Sequence, residues 1–257
     1  MINNNFLKNK FANNEKCLGT WCTIASPTIT DIICNSGFDF LILDREHGPI
    51  NYETLQNQVS VCESRSVSPI IRVPDISQSE ILRSLDIGAH GIQVPNVNTL
   101  DDVKKIIEYS KYPPKGNRGF STFTRAGGYD AENKNNHYDN TNSNTLIGIN
   151  LESKKSLDLL EKFIDFDEID MYFFGTFDLS KEIGKPGDIT NPELVNLIKT
   201  CNDFLISKKK ITGTISVSPE NLSYHLDQGF IYNLYKVDCG IISESFKTIK
   251  SQFDSDK

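Results

Sequence analysis

From about Leu18 to the C-terminus, apolar, β-branched or aromatic runs alternate with amphipathic segments eight times over, and that rhythm restricts the fold more than any other feature. Such alternation is the pattern of repeated βα units feeding a parallel sheet. The strand candidates are Leu18–Ala25, Phe38–Asp44, Pro69–Val73, Gly91–Pro95, Leu146–Glu152, Met171–Gly175, Ile211–Val217 and Phe230–Val237. Eight units predict a closed (β/α)8 TIM barrel rather than an open doubly wound sheet. Neither the dinucleotide turn G-x-G-x-x-G nor the phosphate loop G-x-x-x-x-G-K-[ST] occurs. A length of 257 residues fits one such barrel as a single domain, 1–257.

Helix starts are marked by Ser26-Pro27, Asn191-Pro192 and Ser218-Pro219, each an N-cap followed by proline at the first helical position. Ser77-x-x-Glu80 reads as a capping box, and Gly88 suits the position just past that helix. Tyr129–Thr145 breaks the rhythm: it is nearly all Asn, Asp, Lys and small polar residues, which predicts a mobile surface loop, either a flap over a site or an exposed insertion. The tail from Ser251 is expected to fray.

Charge narrows the range of partners. With 27 basic and 34 acidic residues the net charge is −7, and there is no run of five or six like charges to follow a nucleic-acid backbone. Nucleic acid is excluded as an expected partner. Met1–Lys16 is rich in Asn and Lys without the apolar core of a secretory signal, and no segment approaches the ~18 apolar residues of a membrane span. A soluble, cytoplasmic protein is expected. Cys17, Cys22, Cys34, Cys62, Cys201 and Cys239 are scattered with no C-x-x-C pair, so they read as reduced core residues.

In a barrel of this kind, working residues stand at the carboxyl ends of the strands. Reading off those ends yields Asp44, Glu46 and His47 after the second strand, Arg72 in the third, Glu152 at the fifth, Asp178 beyond the sixth and Asp238 beyond the eighth. Carboxylates on neighbouring strands, such as Glu152 and Asp178, suit a hard divalent cation. Asp178 could equally cap a helix. His47 lies three residues from Asp44, close enough for the carboxylate to orient the imidazole as a proton acceptor. Arg72 interrupts a strand otherwise fit for burial, and a buried arginine requires an anionic partner. His90, His137 and His225 read as structural or exposed.

The run Leu43-Asp44-Arg45-Glu46-His47-Gly48-Pro49 resembles the D-x-E-H-[GA]-P signature of the HpcH/HpaI aldolase family. Ile71-Arg72-Val73-Pro74, Leu85-Asp86-Ile87-Gly88-Ala89, Tyr112-Pro113-Pro114-x-Gly116-x-Arg118-Gly119, Asn150-Leu151-Glu152-Ser153 and Gly175-Thr176-Phe177-Asp178-Leu179-Ser180 are similar to its successive motifs, in order. The resemblance implies a class II aldolase, a carbon–carbon lyase in which a divalent metal (Mg2+, Mn2+ or Co2+) binds pyruvate or a related 2-oxo acid and the enolate adds reversibly to an aldehyde. It makes Glu152 and Asp178 the metal ligands. Arg72 stabilises the enolate oxygen, His47 with Asp44 handles protons, and the amides around Gly175, Thr176 and Phe177 receive the substrate carboxylate. It further implies a homo-hexamer that exchanges C-terminal helices, with Asp86 or part of the loop after Pro114 open to serving a neighbour's site.

Departures from the family pattern bear on substrate choice. Thr176 replaces the proline of G-P-x-D-L-S, and Asn150 stands where a glutamine is common. The run Asn117–Tyr129, with Tyr235-Lys236-Val237-Asp238, is similar to a subgroup associated with surface-carbohydrate biosynthesis, which points to a sugar-derived aldehyde. Two other activities are compatible with the same residues: another carbon–carbon ligase or lyase, such as a siderophore-type citrate synthase, and a catalytically silent barrel that binds a sugar acid.

Overall fold

The β-branched and aromatic runs become strands because a barrel buries both faces of each strand, one against the helices and one inside. The computed structural model describes residues 5–130 and 137–256. Its strands are β1 Cys17–Cys22, β2 Phe40–Asp44, β3 Ser68–Arg72, β4 Gly91–Val94, β5 Leu146–Leu151, β6 Met171–Phe174, β7 Ile211–Ser216 and β8 Tyr232–Val237. All pair in parallel with their sequence neighbours, and β8 closes on β1. The expected (β/α)8 architecture is therefore the observed one, with each strand within a few residues of its expected limits.

The helices are α1 Phe6–Ala12, α2 Pro27–Asn35, α3 Tyr52–Ser64, α4 Gln78–Asp86, α5 Leu100–Ser110, α6 His137–Asn144, α7 Lys154–Asp158, α8 Leu160–Phe163, α9 Thr176–Glu182, α10 Pro192–Ser207, α11 Pro219–Asp227 and α12 Asp238–Ser255. Ser26, Asn191 and Ser218 cap α2, α10 and α11 as expected, each followed by proline. The capping box of α4 is only half formed. Ser77 Oγ accepts from Glu80 N at 3.3 Å, but the Glu80 carboxylate turns to Arg45 and to the Tyr52 hydroxyl.

One apolar core lies between strands and helices; a second fills the barrel with Trp21, Phe40, Ile42, Ile70, Met171, Phe173 and Tyr232. Helix α1, which composition does not announce, plugs the amino-terminal end of the barrel with Leu7 and Phe11. Asn5 both caps it and donates to the carbonyls of His90 (2.8 Å) and Asn144 (2.7 Å). No helix among the described residues is long and apolar enough to cross a membrane.

The expected loop at Tyr129–Thr145 is corrected. Residues 131–136 lie outside the described residues, while His137–Asn144 form α6 with His137, Thr141 and Asn142 buried. Its stability is tertiary. The Asn142 amide exchanges hydrogen bonds with the Tyr112 backbone at 2.7 and 3.0 Å, and buried Lys111 Nζ donates to the Asn142 and Thr145 carbonyls at 2.8 Å each. Likewise α12 continues to Ser255 instead of fraying from Ser251. All six cysteines are free, but Cys239 is exposed and Cys201 only half-buried, so the core assignment holds for the other four.

Candidate active site

Strands β2 and β3 pair so that Asp44 lies directly opposite Arg72. This register assembles the first half of the site at the carboxyl end of the barrel. Asp44 is 1 % exposed, and its carboxylate accepts from Arg72 Nε at 2.8 Å and Arg72 Nη2 at 2.5 Å. Two-pronged pairing of this kind is the strongest geometry available to arginine. The same carboxylate accepts the backbone N–H of Glu46 (3.0 Å) and of His47 (3.3 Å). Arg72 Nη1 reaches Glu46 at 2.9 Å, and the guanidinium lies 4.1 Å from the centroid of the Trp21 ring.

The anionic partner required by a buried Arg72 is therefore Asp44, seconded by Glu46. This corrects the expected pairing of Asp44 with the His47 imidazole: the carboxylate oxygens are already taken up by the guanidinium and by backbone amides. Among the described residues the His47 ring has no hydrogen-bond partner, and it faces a cavity of about 340 Å3 at the barrel mouth.

The second half of the site comes from β5 and α9. Glu152 follows β5; one oxygen accepts from Asn96 N at 2.5 Å and the other from Asn150 Nδ2 at 3.0 Å. Burial pushes its carboxyl pKa up, and the charge of Asp178 adds to the rise. Asp178 lies in the first turn of α9, whose N-cap is Gly175 and which has no side-chain cap bond. The helix-cap reading of Asp178 thus falls away, and the carboxylate faces the cavity together with Glu152. Gly175 permits this approach, since a Cβ there would stand 2.8 Å from Glu152 Cβ and 3.2 Å from Oε2.

Asp44, Glu46, Glu152 and Asp178 thus gather four carboxylates around Arg72. Burial likewise raises the Glu46 pKa, with Glu152 adding to the rise. Such an acidic mouth fits a divalent cation. Among the described residues no group of three or more His, Cys, Asp or Glu has metal-holding geometry. The residues that could hold a cation are Glu152 and Asp178, in keeping with a hard ion that completes its shell with water and substrate oxygens. Thr176 and Phe177 also line the cavity. Among the described residues the buried Thr176 Oγ1 has no hydrogen-bond partner, while half of Phe177 is exposed.

Two expected residues are elsewhere. Asp86 is the last residue of α4, at the amino-terminal end of the barrel and away from the cavity, where it pairs with Arg118 at 2.7 Å. A catalytic role for Asp86 in its own chain's site is therefore corrected, because helices run antiparallel to the strands and end at the opposite face. Asp238 is a clasp: it accepts from Thr23 N, Thr23 Oγ1, Ile24 N and Cys239 N at 2.7–3.1 Å, tying the loop after β1 to the start of α12. Trp21 and Thr23, which line the cavity, are not singled out by the sequence, because neither an apolar ring within β1 nor a neutral hydroxyl just past it carries the charge that marks the other strand ends.

Fold and site together define a (β/α)8-barrel enzyme with an acidic pair and an arginine–carboxylate fork at its catalytic face. Residues 18–232 match the HpcH/HpaI aldolase/citrate lyase family, and the chain belongs to that family. It is a carbon–carbon lyase of the aldolase type. A 2-keto-3-deoxy-L-rhamnonate aldolase of Escherichia coli is 29% identical over 254 residues, covering 98% of this chain and 94% of that protein. A solved HpcH/HpaI aldolase/citrate lyase family structure from Burkholderia cenocepacia J2315 superposes with a TM-score of 0.91 at 20% identity, covering 98% of this chain and 100% of that one. The citrate synthase SbnG shares the fold at a TM-score of 0.87 and 24% identity, over 99% of this chain and 100% of its own.

Proposed function

We propose that this chain is a divalent-metal-dependent aldolase that reversibly joins pyruvate, or a related 2-oxo acid, to a sugar-derived aldehyde. The observation that carries this reading is the convergence on one cavity of the Glu152–Asp178 pair and the Asp44–Arg72 fork. Glu152 and Asp178 would hold Mg2+, Mn2+ or Co2+, which when bound supplies Lewis-acid polarisation of the keto oxygen.

Arginine has five N–H donors; Asp44 takes two of those on Arg72, and the Glu46 carboxylate stands 2.9 Å from Nη1 as an ion-pair partner. The N–H groups that Asp44 does not take are available to the oxygen that gains charge as the enolate forms, and the fork holds the guanidinium in place before the reaction begins. The His47 imidazole, which has no hydrogen-bond partner among the described residues, exchanges the proton of the acceptor hydroxyl. Backbone amides from Gly175 to Phe177 receive the 2-oxo acid's carboxylate at the start of α9. Trp21 and Phe173 give the cavity a water-excluding wall.

A homo-oligomer, in line with a hexamer, is part of the same reading. Phe246, Ile249 and Phe253 form one apolar stripe on α12 and are 68%, 61% and 57% exposed, a face that a second copy of the chain would cover. The free cysteines fit the reducing cytoplasm.

The test is pyruvate release from 2-oxo-3-deoxy sugar acids by the purified protein with each metal, paired with deuterium exchange at the pyruvate methyl group. Both activities are expected, and both should vanish in Glu152→Gln and Asp178→Asn. A protein that catalyses neither with any metal, yet condenses oxaloacetate with acetyl-CoA, would replace this reading with citrate formation.

A further inference from the structure

Inside the otherwise apolar barrel runs a line of hydrogen bonds that ends on Glu152. The Tyr232 hydroxyl donates to Gln93 Oε1 at 3.1 Å, Gln93 Nε2 donates to Asn150 Oδ1 at 2.8 Å, and Asn150 Nδ2 donates to Glu152 Oε2 at 3.0 Å. Gln93, Asn150 and Tyr232 are all at most 2 % exposed. Polar groups at this depth are costly unless every one is matched, and here each amide oxygen and each amide nitrogen has its partner.

The polarity of the line follows from its end. A carboxylate only accepts, so Asn150 must turn its nitrogen to Glu152 and its oxygen to Gln93. Gln93 must then present its nitrogen to Asn150 and its oxygen to the phenol, which donates. Without Gln93 the buried Asn150 Oδ1 would lose its donor, and the amide would be held in place by its bond to the carboxylate alone.

The far end is built with equal care. Tyr232 stacks on Phe40 with centroids 4.2 Å apart and planes at 16°, and Phe11 of α1 meets it edge-on at 6.0 Å. Two glycines make the room: a Cβ on Gly213 would stand 2.5 Å from the Tyr232 ring, and one on Gly19 2.3 Å from that of Phe40. The phenol is thus locked at the middle of the barrel, on the strand opposite Gln93.

We propose that Gln93 and Tyr232 are positioning residues for metal binding, acting through Asn150 to hold the Glu152 carboxylate in the orientation that receives the cation. The inference rests on the metal-dependent reading of Glu152 and Asp178. It also accounts for Asn150: its side chain is one methylene shorter than the glutamine common in the family, and Gln93 extends the line across the barrel. Outer partners of this kind set ligand orientation and typically change metal affinity by about 10- to 100-fold.

The experiment is calorimetric titration of Mn2+ into the metal-free chain, with thermal melting of each variant. Gln93→Met keeps the volume and removes both hydrogen bonds; Tyr232→Phe keeps the stacked ring and removes only the hydroxyl. We expect the Mn2+ Kd to rise about tenfold or more in Gln93→Met and by a smaller factor in Tyr232→Phe. Ile70→Val, which thins the same interior core without touching the line, should lower the melting temperature and leave Kd unchanged. Kd within twofold of the parent in both line variants, with binding lost in Glu152→Gln, overturns the positioning role and leaves the metal reading standing. Equal Mn2+ binding by the parent and Glu152→Gln overturns the metal reading and the role of the line with it.

Discussion

Replacing Asp44 by Asn keeps the shape of the side chain and removes its charge from beneath Arg72. The guanidinium stays where it is, with its side chain only 13% exposed, and retains Glu46 as its one anionic contact. Removing one partner of a buried ion pair costs about 3–5 kcal/mol, because the other charge is left uncompensated. Glu46 and the Trp21 face offset part of that loss, so a destabilisation of about 3 kcal/mol is expected for Asp44→Asn. Arg72→Met should cost a similar amount by stranding Asp44 with only two backbone amides. Since the two residues share one interaction, the double variant should fall short of the sum by about 2 kcal/mol. Asp44→Asn combined with His47→Gln should instead be additive within about 0.5 kcal/mol, because the carboxylate meets only the backbone of His47. Urea unfolding of the five variants supplies these coupling energies. A larger coupling of Asp44 to His47 than to Arg72 would refute the reasoning and restore the carboxylate to the imidazole.

Other outcomes follow from the same geometry. Burial holds the His225 imidazole at a pKa of about 4, below its ordinary 6.5, so between these values the unfolded chain binds a proton that the folded chain refuses. Stability therefore falls as pH drops from 6.5 to 4, by on the order of 3 kcal/mol, and denaturation of His225→Gln across this range should show a correspondingly flatter dependence. Gly175→Ala forces a Cβ against Glu152 and should weaken Mn2+ binding at least tenfold while far-ultraviolet circular dichroism stays unchanged. Phe246→Asp with Phe253→Asp should shift sedimentation from an oligomer to a monomer; an unchanged coefficient would mean that the α12 stripe is not an interface.

The order of the barrel was written in local chemistry. Runs such as Phe40-Leu-Ile-Leu43, the Ser-Pro and Asn-Pro helix starts and the burst of charge after Asp44 are short-range signals, and each became the element it announced. That Arg72 needs an anion also followed from its place in an apolar strand. Which anion it takes did not, because the choice depends on the β2–β3 register that sets Asp44 across from it.

Tertiary contacts likewise decided α1 and α6. α6 is a polar stretch with no apolar face to declare it, and α1 sits in an Asn- and Lys-rich segment with only Leu7 and Phe11 turned into the barrel; both are held by Asn and Lys side chains reaching residues far away in the chain. The line from Tyr232 to Glu152 is the extreme case. Its members lie on β8, β4 and β5, up to 139 residues apart, and only closure of the barrel brings them into hydrogen-bond range. The sequence by itself thus determined the repeat, the strands and the acidic residues at their ends, since strand period and cap chemistry act over a few residues. Partner choice was left to the tertiary structure, because a hydrogen bond is decided by a few tenths of an ångström between atoms that sequence distance does not order.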